Sequence, residues 1–286
     1  MKKQKLILVI LMVSLYGYAQ TISRPAIWGI TKMTFLVSDF QVARDYYGKF
    51  LGFDEAFSYP SELGKTISFK VSDRQFLEFV VDKNAKEKKR LVSYSLETEN
   101  VEQMRQFLNS KSVKVPEKIN IDGAGNEVFV VEDPDGNHVE FINLKRNGLH
   151  RLSKGKYLSD RRIAKRIHHA GIYSSKIVDN DPFYASILGF KEVVRYPDDK
   201  SLLATILYLS FGDCVENIEF YSPNDQNVSH PCFVVDDMQE TIYRLKERKT
   251  TETVGKPIIG KGKRWIMNMW NSDNTRVEFT EAHCVR

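Results

Sequence analysis

The sequence predicts an α+β protein made of four βαβββ units, paired into two domains that each form a cup-shaped mixed sheet. Three observations predict this fold. A repeat runs in register through the two halves of the chain, the hydrophobic period changes from strand to helix inside each copy, and a smaller repeat recurs within each half. The 286 residues suffice for two domains of ordinary size, and 42% hydrophobic residues fit a folded globular protein.

The repeat between the halves is the strongest of these signals. Its first copy contains Ile30–Asp39, Tyr46-Tyr47 and Phe50-Leu-Gly-Phe53, and its second contains Ile167–Lys176, Phe183-Tyr184 and Ile187-Leu-Gly-Phe190. Lys32 precedes Tyr46 by 14 residues, and His169 precedes Phe183 by 14. The equal spacing aligns the two halves residue by residue.

The first unit opens with an alternating segment in which Met33, Phe35 and Val37 predict a strand. A helix follows, because apolar residues recur every four positions (Val42, Tyr46 and Phe50) and Gly52 stands at its C-terminal end. Segments 67–71 and 75–81 then predict two strands joined by the turn 72–74.

The unit recurs within each half. In the first half the strands are predicted at 91–96, 126–131 and 138–143, and the helix carries Val101, Met104, Phe107 and Leu108. The turn between the last two strands is Asp133-Pro-Asp-Gly136. In the second half the strands are predicted at 232–235, 265–270 and 276–280, with Met238, Ile242 and Leu245 on the helix.

The N-terminus has the composition of a secretory signal peptide over residues 1–19. Lys2, Lys3 and Lys5 form a basic start, residues 6–16 are apolar, and Gly17-Tyr-Ala19 is a cleavage site. The apolar run is short for a membrane span, although a retained anchor is the alternative. We therefore predict export to the periplasm or outside the cell, a mature chain that starts at Gln20, and no stable membrane span after signal removal.

A basic linker, residues 145–165, joins the predicted domains 27–144 and 166–281. Across 144–166 there are nine Lys or Arg and one acidic residue, Asp160. A solvated linker is the favoured interpretation. A basic flap over an anionic substrate or a lipid head group is the alternative.

Charge and cysteine content exclude several classes of function. The net charge of +5 falls to +2 without the three signal lysines, which is too little to indicate nucleic acid as a partner. Cys214, Cys232 and Cys284 do not make a disulfide framework, and a bond between Cys214 and Cys232 is left open. No organic cofactor is predicted, and a small molecule is the expected partner.

With these motifs, the sequence resembles the vicinal-oxygen-chelate superfamily, which includes glyoxalase I, methylmalonyl-CoA epimerase, extradiol dioxygenases and the fosfomycin and bleomycin resistance proteins. The resemblance covers residues 27–144 and 166–281. It rests on the opening strand with a metal-binding His position, the Phe-Tyr…Leu-Gly-Phe helix end, and the Asp-Pro-Asp-Gly turn before a strand with a Glu. It implies two cups, with a metal ion inside a cup that keeps its ligands.

The resemblance places one divalent metal ion (Zn, Ni, Mn or Fe(II)) in the second half, on His169, Glu219, His230 and Glu278. Two imidazoles and one or two carboxylates leave positions open for a substrate with oxygens on adjacent carbons. The metal then acts as a Lewis acid that stabilises an enediolate. Glu219 or Glu278 is the expected catalytic base. His168 adjoins His169, and a shift of one residue would exchange them.

The first half lacks this ligand set. Its corresponding positions are assigned as Lys32, Glu78, Leu91 and Glu140. Lys and Leu do not make a normal metal site, so this half is expected to support the fold, shape the pocket or cover the other half. A pairing of Lys32 with one of the two carboxylates is one interpretation.

Three functions remain open. The leading hypothesis is a metal-dependent lyase or isomerase of glyoxalase type. The second is an Fe(II) extradiol-like dioxygenase that uses His169, His230 and Glu278, although Asn268 stands where its additional Tyr is expected. The third is a non-catalytic small-molecule binding protein.

The second closing turn, Asn271-Ser-Asp-Asn-Thr275, lacks the usual Pro and Gly. Free sheet edges favour a homodimer, and the sequence leaves the oligomeric state open.

Overall fold

The computed structural model describes residues 22–87, 89–174, 177, 182–212, 214–222 and 229–285. The predicted signal peptide, residues 1–19, lies outside this part of the chain. Within it, none of the helices combines the length and the hydropathy that a membrane crossing requires. The described residues form two eight-stranded sheets, one in each half.

The first sheet is mixed. Its strands are β1 (Ile27–Val37), β2 (Asp54–Ser61), β3 (Gly64–Lys70), β4 (Phe76–Val81), β5 (Leu91–Thr98), β6 (Asn120–Ile121), β7 (Glu127–Glu132) and β8 (His138–Asn143). They lie in the order β2-β3-β4-β1-β5-β8-β7-β6. The β1–β4 and β5–β8 pairs are parallel, and the β1–β5 pair that joins the two units is antiparallel.

The second sheet repeats this topology. Its strands are β9 (Ile167–Tyr173), β10 (Lys191–Tyr196), β11 (Ile206–Ser210), β12 (Asn217–Tyr221), β13 (His230–Val235), β14 (Pro257–Ile259), β15 (Arg264–Trp270) and β16 (Arg276–Cys284). Their order, β10-β11-β12-β9-β13-β16-β15-β14, matches that of the first sheet strand for strand. The predicted α+β class and the four βαβββ units are therefore confirmed.

The helices are short. They are α1 (Phe40–Ala43), α2 (Val101–Ser110), α3 (Leu149–Leu152) and α4 (Met238–Lys246), with π-helical segments at Arg44–Phe50 and Pro182–Ile187 and a 3₁₀ turn at Ala85–Glu87. Asn100 and Asp237 start α2 and α4, because each side chain accepts a hydrogen bond from a backbone N–H of the first turn. The helix predicted from Val42, Tyr46 and Phe50 is present, mostly as a π-helix.

One face of each sheet packs into a hydrophobic core that both halves share. Side chains alternate across a strand, so on β11 Leu207 and Leu209 belong to this core while Tyr208 projects to the other face. We call this other, curled face the inner face, and the spaces that it encloses the N-terminal and C-terminal cups. The aromatic rings of Phe53 and Phe233 meet across the halves with centroids 5.2 Å apart.

Reciprocal hydrogen bonds tie the closing turn of each half to the opening strand of the other. The backbone N–H and hydroxyl of Ser38 donate to Asp273 at 2.7 and 2.6 Å, and the hydroxyl of Ser174 donates to Asp135 at 2.5 Å. The second turn keeps this Asp without the usual Gly, because Asn274 adopts a left-handed φ of 60° where Gly136 has 74°. Asn tolerates that conformation better than most residues.

The basic linker is not simply solvated, since His150 and Ser153 are buried against the first sheet. Arg151 donates to Glu97 at 2.8 Å, and the backbone N–H of Gly155 donates to Asp73 at 2.8 Å. The expectation of a solvated segment was therefore wrong for His150 and Ser153, whereas Leu152, Lys154 and Gly155 are exposed as expected. The cysteines Cys214, Cys232 and Cys284 are all free. The domain limits remain predictions.

Candidate metal centre

Four neighbouring strands of the second sheet carry the predicted ligands: Glu219 on β12, His169 on β9, His230 on β13 and Glu278 on β16. Gly171 pairs with Glu219 on one side and with His230 on the other. Cys232 pairs with His169 on one side and with Glu278 on the other. Because paired residues project to the same face, this register places all four ligands on the inner face.

The glycine at position 171 makes room for this arrangement. A Cβ atom on Gly171 would lie 2.0 Å from Cε1 of His230, which is far inside van der Waals contact. The His230 imidazole therefore fills the space above a residue without a side chain. Thr34 occupies the corresponding place in the first sheet, where no imidazole lies above it.

The four side chains converge tightly. Nε2 of His169 lies 3.2 Å from Oε2 of Glu219 and 3.6 Å from Oε1 of Glu278. Nε2 of His230 lies 3.6 Å from Oε2 of Glu219 and 3.9 Å from Oε2 of Glu278. One ligand atom from each residue lies within 4.8 Å of the other three, and all four residues are buried. We call this group the four-ligand cluster.

The residues of this cluster fit a divalent metal ion. Nε2 of His169 and Oε2 of Glu219 are buried and make no hydrogen bond among the described residues, although they face each other. Burying such polar atoms without partners costs about 1–3 kcal/mol each, so an ion between them would supply what the protein leaves unsatisfied. Two imidazoles and two carboxylates are ordinary ligands of Zn, Mn and Fe(II).

The two buried carboxylates respond differently to this environment. Burial raises the pKa of Glu278, and the neighbouring Glu219 carboxylate raises it further. Burial also opposes ionisation of Glu219, but His169, His230 and Arg276 together hold its pKa below the ordinary value. A divalent cation between the two carboxylates would favour the charged form of both.

Two side chains that were not predicted from the sequence hold the carboxylates. Tyr208 donates a hydrogen bond to Oε1 of Glu219 at 2.7 Å. Arg276 donates to Oε2 of Glu278 at 2.7 Å and, through its Nε, to Asn268 at 2.8 Å. Tyr208 could be found by strand pairing, because it pairs with Glu219, and Arg276 by alternation, because it lies two residues before Glu278 on β16. Such partners orient metal ligands and tune their basicity.

His169, rather than His168, brings a nitrogen to the other three ligands. Nδ1 of His168 lies 2.9 Å from Nδ1 of His169, and its Nε2 lies 3.2 Å from Nη1 of Arg264. His168, His169 and Cys232 also lie close enough to hold a metal. Burial and Glu278 raise the pKa of the Cys232 thiol, however, so this residue is a poor source of the thiolate that a metal binds.

In the N-terminal cup a lysine ammonium stands among the equivalent carboxylates. Nζ of Lys32 lies 3.2 Å from Glu78, 3.2 Å from Glu140 and 3.8 Å from Asp122, all by carboxylate oxygens. Burial opposes its charge, but Glu140 and Glu78 raise the pKa of Lys32 well above its ordinary value. Lys32 therefore pairs with both carboxylates, and its charge compensates theirs.

The counterpart of His230 in the first half was assigned incorrectly as Leu91. Ser93, not Leu91, pairs with Thr34 as His230 pairs with Gly171, so Ser93 is the counterpart of His230. Strand β5 starts at Leu91, two residues before Ser93, whereas β13 starts at His230 itself. A register shift between Thr34 and Phe35 separates the pairing of Ser93 from that of Leu91.

The linker fills the N-terminal cup. The His150 imidazole is fully buried between Phe57 and Phe76, with ring centroids 4.9 and 4.6 Å away. Its Nε2 lies 3.0 Å from Oε1 of Glu78, and its Nδ1 lies 3.0 Å from Nδ2 of Asn126. The occupant of this cup is thus a segment of the chain itself.

A family model for the Glyoxalase/Bleomycin resistance protein/Dioxygenase superfamily matches residues 29–141. The match covers the half that carries Lys32 and does not reach the four-ligand cluster. No curated protein matches the chain in a sequence search.

Solved structures of similar fold include dioxygenases and a glyoxalase. The 2,3-dioxygenase LapB from Pseudomonas sp. KL28 superposes with a TM-score of 0.68 at 15% identity, over 91% of this chain and 94% of its own. The homoprotocatechuate 2,3-dioxygenase from Brevibacterium fuscum, solved with 3,4-dihydroxyphenylacetate, gives 0.67 at 15% over 90% and 81%. The Mn(II)-bound glyoxalase from Novosphingobium aromaticivorans gives 0.68 at 18% over 90% and 83%. At such identities the likeness shows the fold alone.

Proposed function

We propose that this protein is a metal-dependent lyase or isomerase of glyoxalase type. The chain has two vicinal-oxygen-chelate domains, and its N-terminal domain belongs to the glyoxalase/bleomycin resistance protein/dioxygenase superfamily. Its substrate would be a small molecule with oxygens on adjacent carbons. The observation that carries the proposal is the convergence of His169, Glu219, His230 and Glu278 in one buried cluster. The cluster has one carboxylate more than a facial triad of two histidines and one carboxylate. A proton-transfer enzyme needs such an additional group as its base.

In this proposal the metal supplies Lewis-acid stabilisation of the negative charge that develops when a proton leaves the substrate. His169 and His230 would hold the metal from neighbouring strands, and burial would exclude bulk water from the reacting carbon. Glu278 would be a fixed ligand, because the Arg276 guanidinium holds its Oε2 at 2.7 Å by a charge-assisted hydrogen bond.

Glu219 is the better candidate for the base. Oε1 of Glu219 accepts a hydrogen bond from the neutral hydroxyl of Tyr208, whereas Oε2 of Glu278 is held by a guanidinium. A neutral hydrogen bond is the weaker restraint, so Oε2 of Glu219 can leave its place beside the imidazoles and accept a substrate proton. Tyr208 would keep the other oxygen in position while the proton is held.

An Fe(II) extradiol-like dioxygenase is the second candidate. Its support is the shared two-domain organisation, since the likeness to the LapB dioxygenase spans 91% of this chain and 94% of that one. His169, His230 and Glu278 would then be the iron ligands. Arg276 donates to both Asn268 and Glu278, so the position where a Tyr was expected instead supports a ligand.

Metal analysis tests the proposal most directly. The chain from Gln20 onward should bind about one equivalent of divalent metal, and His230→Ala should lower this at least about tenfold because one of four ligands is lost. His138→Ala, an exposed histidine of the first sheet, is the control and should bind as the wild type does.

The metal found would decide which activity to assay. Zinc, nickel or manganese would direct the work to lyase and isomerase substrates, and iron would direct it to oxygen uptake. Failure to bind any of these metals after reconstitution would contradict both enzyme proposals and favour a non-catalytic binding protein of the same fold.

We also propose that the chain is exported and processed before Gln20, on the strength of its basic start, apolar run and small-residue cleavage site. Protein recovered from the periplasm or the medium should start at Gln20 by N-terminal sequencing. A variant without residues 2–19 should stay in the cytoplasm. Recovery of the intact N-terminus in the cytoplasmic fraction would contradict the proposal.

A further inference from the structure

The C-terminal cup contains a guanidinium group that does not contact the four-ligand cluster. Arg264 is half-buried and contacts His168 at 3.2 Å, and none of the described carboxylates lies within ion-pair distance of it. Arg166, two residues before His168, likewise has no carboxylate partner in the described chain, and its buried Nη1 has no hydrogen bond. A guanidinium has five N–H donors, and His168 supplies one acceptor to that of Arg264 in the described chain.

The N-terminal cup shows what a side chain at this position contacts. Arg264 and Asn126 are equivalent, because their carbonyl oxygens accept hydrogen bonds from Gly260 and Asp122 in the same hairpin of each half. Asn126 binds the imidazole of His150, the group that fills the N-terminal cup. The same imidazole reaches Glu78, the counterpart of Glu219. A group that fills the C-terminal cup in the same way would span Arg264 and the four-ligand cluster.

A metal on Nε2 of His169 would change the contact between Arg264 and His168. A neutral imidazole has one N–H, so binding a metal through Nε2 leaves the proton of His169 on Nδ1, donating to His168 at 2.9 Å. A neutral His168 that accepts there has its own proton on Nε2. That N–H faces Nη1 of Arg264, which is also a donor. No proton is gained or lost, but the guanidinium then needs another acceptor.

We propose that Arg264 forms an oxyanion subsite in the C-terminal cup, where it binds a carboxylate or phosphate group of the substrate while the vicinal oxygens of that substrate face the four-ligand cluster. This inference rests on the proposed function, since it assigns the substrate to the class of anionic vicinal-oxygen compounds. A guanidinium suits either anion, because its parallel N–H groups match two oxygens.

Paired probes test the subsite by calorimetry on the metal-loaded protein. Malate is compared with lactate, and 3-phosphoglycerate with glycerate; in each pair only the first has an anionic group beyond the vicinal oxygens. The wild type should bind at least one of the first members about tenfold or more tightly than its partner, and Arg264→Gln should remove that preference. The affinity for lactate and glycerate should stay the same.

The control and the failures are distinct. Arg105→Gln, which removes an arginine paired with Glu102 on α2, should keep the preference. Metal content and thermal unfolding of each variant verify that it is folded and loaded. A protein that holds metal but shows no preference for either extra anion, or keeps it in Arg264→Gln, would overturn the subsite alone. A protein without metal that still shows an Arg264-dependent preference would overturn the proposed function alone.

Discussion

Replacing Lys32 by methionine should lower the free energy of unfolding by about 3–5 kcal/mol, the usual cost of removing one partner of a buried ion pair. Lys32 is 4% exposed, and its Nζ lies 3.2 Å from carboxylate oxygens of both Glu78 and Glu140. Methionine has a similar length but no charge, so the carboxylates would stay buried without a cation. Urea unfolding at neutral pH measures the change.

Two further variants show whether charge is the cause. Lys83→Met alters an exposed lysine of the same half and should change stability by less than about 0.5 kcal/mol. Adding Glu78→Gln and Glu140→Gln to Lys32→Met should recover part of the loss, because the uncompensated charges are then removed. A loss below about 1 kcal/mol in Lys32→Met would mean that the ammonium does not replace a metal charge there.

The presence of a lysine where the second half has His169 explains why the inner faces of two similar sheets bind different groups. Both cups bring two carboxylates together from equivalent strands, Glu78 and Glu140 in one and Glu219 and Glu278 in the other. In the first cup the compensating cation belongs to the chain, and the linker residue His150 occupies the remaining space. In the C-terminal cup imidazoles replace Lys32 and Ser93, and Arg276, the described arginine in contact with these carboxylates, forms its ion pair with Glu278 and not with Glu219.

Much of this arrangement follows from the sequence. The spacing of 14 residues aligned Lys32 with His169, and alternation along the strands identified Glu78 as the equivalent of Glu219 in the first half. These predictions succeed because side-chain direction alternates with a fixed period along a strand. The slip between Leu91 and Ser93 occurred where a register shift breaks that period.

The sequence pattern did not predict that the linker would fill the N-terminal cup. Residues 149–152 form a helix of one turn, which carries no periodic signal, and His150 is buried through contacts with Phe57, Phe76 and Glu78 that are distant in sequence. A basic composition predicts solvent exposure, yet here tertiary contacts override it. Tyr208 was missed for a related reason, since its role depends on the strand beside Glu219 and not on its own neighbours.

Glu219→Gln should reduce turnover by a lyase or isomerase about 10²–10⁴-fold, because the amide cannot accept the substrate proton. The change keeps the size of the side chain and an oxygen that can receive the hydrogen bond from Tyr208, at 2.7 Å in the native protein. Metal analysis of the variant should still find metal, held by His169, His230 and Glu278. Steady-state kinetics at saturating substrate separates the loss of turnover from weaker binding.

The same variant distinguishes the three functions. A dioxygenase that uses His169, His230 and Glu278 would stay largely active, and a binding protein would keep its ligand affinity. Glu240→Gln, on the exposed side of α4, is the matched control and should have wild-type turnover. If Glu278→Gln abolished turnover with its metal retained while Glu219→Gln did not, the base would be Glu278. The guanidinium of Arg276 would then have to release that carboxylate in each cycle, which the 2.7 Å hydrogen bond makes costly.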